Sequence, residues 1–166
     1  MTQYIDPILK KYADLVTAKN KEIKKVYYGD PIVLPPKSEL PALIVSKVQT
    51  LVSDLTNAED EQRMGIRFTV VTSVMQEFGD EHKTRHGLST LYDIMEGREE
   101  STYELKDTSV LGILRKNASV DVGKNLRTDL GGITRADYGM TVDKRGQGAW
   151  SLEGEIVIEA HFIQLR

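Results

Sequence analysis

The last stretch of the sequence alternates between apolar and polar residues, and it constrains the fold more than any other segment. Between Ser151 and Leu165 the even-numbered positions are apolar or small: Leu152, Gly154, Ile156, Ile158, Ala160 and Phe162. A period of two is that of a β-strand, whose side chains point alternately to opposite faces. We therefore predict a terminal strand whose even face closes the core. Because strands usually have about 5–6 residues, this one must protrude, bend or pair with two neighbours.

Length and composition favour one folded domain. The chain has 166 residues, of which 40% are hydrophobic, enough for one core spanning residues 1–166. It has no cysteine, which excludes disulfides and thiolate catalysis. The first residues do not have the pattern of a signal peptide, and no apolar run approaches the ~20 residues of a membrane span. We expect a protein that stays in the cytoplasm in which it is made.

The charge is unevenly distributed along the chain. The net charge is -3, with +3 on residues 1–50 and -6 on the remainder. Unlike charges at two ends would favour head-to-tail packing between copies. A solvated lysine face on the first helix is the simpler explanation.

Capping residues and helical periodicity predict three helices. Asp6 followed by Pro7 is a strong helix start. Gly97 is the expected C′ residue that ends the second helix. The predicted helices cover residues 7–20, 80–96 and 108–116.

Apolar, β-branched segments predict the strands that precede the terminal one. They cover residues 22–28, 42–52, 63–75 and 133–142. We predict a polar connection over residues 53–62, and an irregular, insertion-like segment over residues 117–150 apart from the strand within it. The order α-β-β-β-α-α-β-β indicates an α+β fold, with a mostly antiparallel β-sheet and helices packed on one face as a sandwich.

A proline-rich segment occupies residues 31–41. It holds four of the five prolines: Pro31, Pro35, Pro36 and Pro41. Each proline removes a backbone donor, so the segment cannot lie in the middle of a sheet. We interpret it as an ordered arm or long loop that could contact a neighbouring subunit.

No motif in the sequence carries a recognisable catalytic or metal-binding pattern. His82 and His86 have the spacing of two metal ligands on a helix, but Lys83 stands where a zinc protease has its general base, and His161 could join them only if folding brought it close. Nucleophile-elbow and phosphate-loop patterns are incomplete. We therefore expect no catalytic residue, no metal and no cofactor.

Two charged features have both a functional and a simple interpretation. Lysines 19, 21, 24 and 25 lie near Tyr27 and Tyr28, a combination that can bind single-stranded nucleic acid but that more often is a solvated helix end. Glu153, Glu155 and Glu159 share one face of the terminal strand. They could form a solvated face, an inter-subunit face, or the wall of a lumen whose negative charge keeps DNA phosphates from adhering.

The organisation of the chain resembles the tail-terminator (tail-completion) proteins of long-tailed bacteriophages. The resemblance rests on the N-terminal helix, on residues 26–31 leading through the proline-rich loop into residues 40–45, on the β-hairpin, on the helix with residues 91–97, and on the final strand with residues 155–159. It spans nearly the whole chain, but residues 117–150 depart from the shorter members.

The resemblance implies a structural virion protein that forms a ring, expected to be a hexamer, on the head-proximal end of the tail. Such a ring ends polymerisation of the tail tube and provides the surface for head attachment. Its implied partners are further copies of itself, the tail tube protein, the head-completion or connector protein, and DNA that passes through without sequence-specific binding. Alternatives are a head-tail connector, stopper, neck or minor capsid protein, and more remotely a small hydrolase or nucleic-acid-binding protein.

Overall fold

Three α-helices and six strands are formed by the residues that the computed structural model describes, which are 4–29, 31, 33, 35–54, 56, 58–73, 89–123, 126–142 and 150–165. The helices are α1 (Pro7–Lys19), α2 (Ser89–Glu96) and α3 (Val110–Lys116), and a 3₁₀ turn covers Lys37–Glu39. The strands are β1 (Lys25–Tyr28), β2 (Ala42–Asp54), β3 (Glu59–Ser73), β4 (Ser119–Gly123), β5 (Leu126–Val142) and β6 (Trp150–Leu165).

The strands of the described residues form one sheet in the order β1-β2-β3-β6-β5-β4, which curls like half a barrel. β1 runs parallel to β2, and every other neighbouring pair is antiparallel. We call the end of the sheet where β2 ends and β3 begins the upper end. The predicted α+β fold with a mostly antiparallel sheet is confirmed, whereas the sandwich arrangement and ring formation stay predictions.

α1 begins and ends as its local sequence predicts. The Asp6 carboxylate accepts a hydrogen bond from the Ile8 backbone N–H at 2.9 Å, and Pro7 occupies the first turn. The buried face of the helix carries Tyr12, whose hydroxyl lies 3.2 Å from Thr128 Oγ1 on β5 and whose ring packs edge-on to Phe68 of β3. The helix therefore crosses the sheet and contacts strands far from it in sequence.

α2 and α3 cover the same face of the sheet as α1. Residues 80–88 of the predicted second helix lie outside the described residues, and α2 begins at Ser89. The third helix is confirmed, with Ser109 as its N-cap. Gly97 does end α2, but not through the left-handed conformation expected of a C′ glycine, because its φ is not positive. Instead a Cβ there would lie 2.5 Å from the Asp93 carbonyl oxygen, so the close approach requires glycine.

The core lies between the helices and the even face of β6. Leu152, Ile156, Ile158 and Ala160 are buried in one cluster with residues of all three helices. On β3 the predicted apolar face is confirmed for Met64, Ile66, Phe68 and Val70; Val74 lies outside the described residues. The alternation in sequence therefore reports correctly which face meets the helices.

Two segments contain more strand than predicted. β2 extends to Asp54 and β3 begins at Glu59, with Asp54 paired to Asp60, so most of the predicted polar connection is strand. Residues 117–150 contain β4 and β5; the strand predicted over residues 133–142 is confirmed as part of β5, which continues along β6 with register irregularities at Leu130/Gly132 and Ile133/Arg135. In both regions hydrogen bonds between backbone groups form the strands, and polar side chains or glycines do not prevent this pairing.

The proline-rich segment folds back onto its own chain. Pro35 and Pro41 are buried, Pro36 is exposed, and Pro31 is intermediate. Leu40 packs with Ala42, Ile44 and Val71 in a small cluster on the sheet face away from the helices. An inter-subunit contact through this segment stays a prediction for Pro31 and Pro36, whereas the other two prolines are enclosed within the chain.

Candidate functional site

The glutamates of β6 lie on the sheet face away from the helices, and β3 and β5 lie on either side of them. Glu155 is paired in register with Thr69 of β3 and Asp137 of β5. Glu159 is paired with Gly65 of β3 and Gly132 of β5. We call this surface, formed by the odd-numbered residues of β6 and their register neighbours, the charged face.

Glu153 does not face solvent within one chain. Its side chain is only 5% exposed, beside the buried Val71 of β3. The Ser151 hydroxyl donates a hydrogen bond of 3.0 Å to Glu153 Oε1, which satisfies part of the carboxylate. Glu153 is therefore enclosed within the chain at the lower end of the charged face, and the predicted lumen or inter-subunit face stays a prediction for Glu155 and Glu159.

Glu155 is paired across the strands with an arginine. Arg67 Nε lies 3.7 Å from Glu155 Oε2, within ion-pair range but too long for a hydrogen bond. The two side chains are 41% and 28% exposed, so solvent screens their attraction. The pair reduces the net negative charge that this part of the face presents.

Glu159 orients the ring of His161. The His161 Nε2 atom contacts Glu159 Oε1, and the two side chains are about equally half-buried. The ring lies against the backbone of Gly131, where a Cβ would collide with the imidazole, so the register irregularity of β5 makes room for it. Arg63 and Asp129 flank His161 in register.

The histidines whose spacing resembles that of metal ligands are not brought together in the described part of the chain. His82 and His86 lie outside the described residues, and His161 is engaged with Glu159. Across the described ranges no group of three or more histidine or acidic side chains could hold a metal ion.

The lysines of residues 19–25 are exposed where α1 ends and β1 begins, as the simpler interpretation of a solvated helix end predicts. Lys19, Lys21 and Glu22 line an open cavity of about 200 Å³ together with Asp93 of α2. Tyr27 hydrogen-bonds to Glu39 and packs against the Leu40 cluster, so its ring is engaged within the chain. The acids and the engaged tyrosine give the segment a mixed polarity.

Exposed apolar side chains are concentrated near the upper end of the sheet, which the sequence did not indicate. Val48, Leu51 and Val52 on β2 are 45%, 54% and 57% exposed, and Ile163 on β6 is 54% exposed. By register Leu51 and Ile163 lie on the charged face and Val52 lies on the helix face. Strand periodicity could not reveal their exposure, because it shows which residues share a face and not which parts of a face other elements cover.

Arg63 and Arg67 are the other residues of the charged face that sequence reasoning did not connect to the glutamates. Alternation along β3 places Arg67 opposite the apolar face, but no local signal shows that β3 is the neighbour of β6. The pairing joins segments that are far apart in sequence.

The sequence matches no known family model, and it has no significant match among curated proteins. Within the described ranges, no helix combines the length and the apolar composition that crossing a bilayer requires.

Proposed function

We propose that this chain is a structural assembly protein of a virion that forms a ring, caps the tail tube of a long-tailed bacteriophage and offers the surface to which the head attaches. The observation that carries the proposal is the length of its strands. β2, β3, β5 and β6 have 13 to 17 residues, about twice or more the usual strand length, and their upper ends carry exposed apolar side chains. An isolated domain gains nothing from such an end, whereas an assembled ring buries it.

The layered arrangement supports a ring in a second way. The helices cover one face of the sheet, and the charged face remains on the other. In the proposed ring of sandwich-like subunits, Glu155 and Glu159 line the lumen, where partial negative charge keeps the DNA backbone from adhering.

Electron microscopy of the purified protein, alone and mixed with tail tubes, tests this function. We expect rings with a central hole that bind one end of each tube and prevent its further growth. Particles located elsewhere in the neck would replace the proposal with a connector or stopper. A chain that stays monomeric at all concentrations and does not bind tubes would refute it.

The lumen assignment is tested separately by reversing charge. Glu155→Lys with Glu159→Lys should leave rings intact but make them retain DNA in filter binding at low salt, because lysines attract phosphates. Exposed Glu100 offers the matched control, since Glu100→Lys also reverses a charge but lies outside the charged face. Equal DNA retention by both variants would show that the glutamates do not line the lumen.

A further inference from the structure

Each of the two lateral edges of the sheet is stepped, because its outermost strand is short and covers only one half of the edge. β1 pairs with β2 through Ala42 to Val45, at the lower end. β4 pairs with β5 through Leu126 to Asp129, at the upper end. Among the described residues no strand lies beyond β2 above Ser46, and none lies beyond the lower half of β5.

The steps are complementary in height. Following the register across the sheet, Leu51 pairs with Arg63, which pairs with His161, then Asp129, then Ser119. β4 therefore lies at the level of the last residues of β2, where the described residues place no strand on the outer side. The same reasoning places β1 at the level of the lower half of β5, where the described part of the chain also has no outer strand.

The steps are also complementary in direction. β2 and β6 run upward, β3 and β5 run downward, and both β1 and β4 run upward. If a second copy continued the sheet in the same orientation, its β4 would lie above β1 of the first copy in one shared column. Residues 46–50 of β2 separate the two levels, so the two short strands would not collide.

We propose that copies of this chain join head to tail through these stepped edges, with β4 of one copy adding to the upper half of β2 of the next, and β1 of that next copy adding to the lower half of β5 of the first. In the ring proposed above, this joint is the contact between neighbouring subunits. Its role in closing the ring therefore rests on the proposed function. A second copy fits beside the upper half of β2 and the lower half of β5, because its opposite edge carries a short strand at the matching height and in the matching direction.

Side chains at the upper half of the joint agree with this pairing. Val52 is 57% exposed, and Val120 at the equivalent level of β4 belongs to the core cluster, so the joint extends the apolar layer from one copy to the next. Long, apolar strand edges that are left open recruit other strands. A contact between two different edges is heterologous, and such contacts form rings when the rotation closes.

Cysteine cross-linking tests the joint, since the chain has no cysteine of its own. Ser53 and Asp121 are both exposed and are expected to be neighbours across the joint. Within one chain β2 and β4 are four strand spacings apart, on the order of 15–20 Å, too far for a disulfide. A bond between these positions therefore joins two copies.

A 1:1 mixture of Ser53→Cys and Asp121→Cys proteins should form disulfide dimers upon mild oxidation, whereas each variant alone should not. Tyr103→Cys, on an exposed loop, replaces Ser53→Cys in the matched control mixture and should give no dimer. Strong dimer formation by Ser53→Cys alone would mean that identical edges pair, which overturns the head-to-tail joint.

A second variant tests the joint without cysteines. Val52→Lys should raise the concentration for half-maximal assembly at least about tenfold, because it places a charge in an apolar contact. Tyr103→Lys adds the same charge at a 74% exposed site and should change assembly little. Circular dichroism of the diluted protein verifies that both variants fold.

The outcomes separate the joint from the proposed function. Oligomers by light scattering without the mixed cross-link overturn the joint and leave the ring function standing. A mixed cross-link in a protein that does not cap tail tubes supports the joint and refutes the function. A monomer at every concentration and in the presence of tubes overturns both.

Discussion

Single buried polar side chains connect parts of this molecule that are far apart in sequence. Asn20 follows α1 and is only 4% exposed. Its amide donates to the Thr108 carbonyl at 2.9 Å, and its side-chain oxygen accepts from the Glu22 N–H at 3.1 Å. Because it satisfies backbone groups on both sides, Asn20 attaches the end of α1 to the segment that precedes α3.

Asn20→Ala should lower the free energy of unfolding by about 1–3 kcal/mol, because buried backbone groups lose their partners. Urea denaturation of the monomer measures the change. The neighbouring exposed Lys21→Ala is the control, with an expected change within about 0.5 kcal/mol. Equal effects of the two substitutions would show that the Asn20 hydrogen bonds contribute nothing.

Tyr138 shows how the sheet and α2 together modify one ionisable group. Its ring packs edge-on to Tyr92 of α2, with the centroids 4.7 Å apart. Burial raises the pKa of the Tyr138 hydroxyl far above its usual value, and the negative charge of Glu96 raises that pKa further. The folded protein therefore holds this proton more strongly than the unfolded chain does.

Comparison of wild type with Tyr138→Phe in a spectrophotometric titration isolates this hydroxyl. The measured quantity is the tyrosinate absorbance of the wild type minus that of Tyr138→Phe. In the folded state this difference should be absent near pH 10, whereas in denaturant it should appear at about pH 10, the ordinary tyrosine range. Because the folded pKa is the raised one, the associated stability is complete below about pH 10 and is lost as the pH rises through the folded pKa. A folded-state signal near pH 10 would contradict the burial of the hydroxyl.

At the scale of elements, β6 determines the architecture because it has a partner strand on each side and the helices on one face. Ile156 and Ile158 are fully buried there, whereas Ile163, on the same strand, is 54% exposed. One strand thus offers the same residue type in two environments.

Ile158→Asp should prevent folding, and Ile158→Ala should lower the free energy of unfolding by about 2–5 kcal/mol through the cavity that it leaves. Ile163→Asp is the matched control and should leave the monomer folded. Circular dichroism with urea titration distinguishes these cases. A folded Ile158→Asp protein would mean that the even face of β6 does not close the core.

At the scale of the whole molecule, the central strands of the sheet have the most backbone hydrogen bonds to neighbouring strands, and the edge strands have the fewest. β3 and β6 have a strand neighbour on both sides over most of their length, whereas the upper half of β2 has a neighbour on one side in the described structure. Local opening costs the least where backbone groups face solvent.

Hydrogen exchange should therefore be slowest in β3 and β6 and fast at the outward amides of β2 residues 47–54 in the monomer. Upon assembly through the stepped edges, exchange in β2 residues 47–54 should slow, while the loop around Tyr103 should remain fast as an internal control. If the exchange rates of β2 residues 47–54 do not change upon assembly, the copies contact each other through a different surface.

The sequence by itself determined the features that depend on local physics. Asp6 and Pro7 start α1, and Leu152 to Phe162 alternate toward the core, because capping and side-chain periodicity act over a few residues. The helices over residues 7–19 and 110–116 follow from the same kind of signal.

Which strands are neighbours emerges only in the folded molecule, since pairing between segments so far apart in sequence has no local signature. The tertiary structure thereby placed Arg67 beside Glu155, enclosed Glu153, extended β2 and β3 into the predicted polar connection, and added β4 in the segment predicted to be irregular. It also produced the stepped edges, because the heights of β1 and β4 depend on registers that accumulate across the whole sheet.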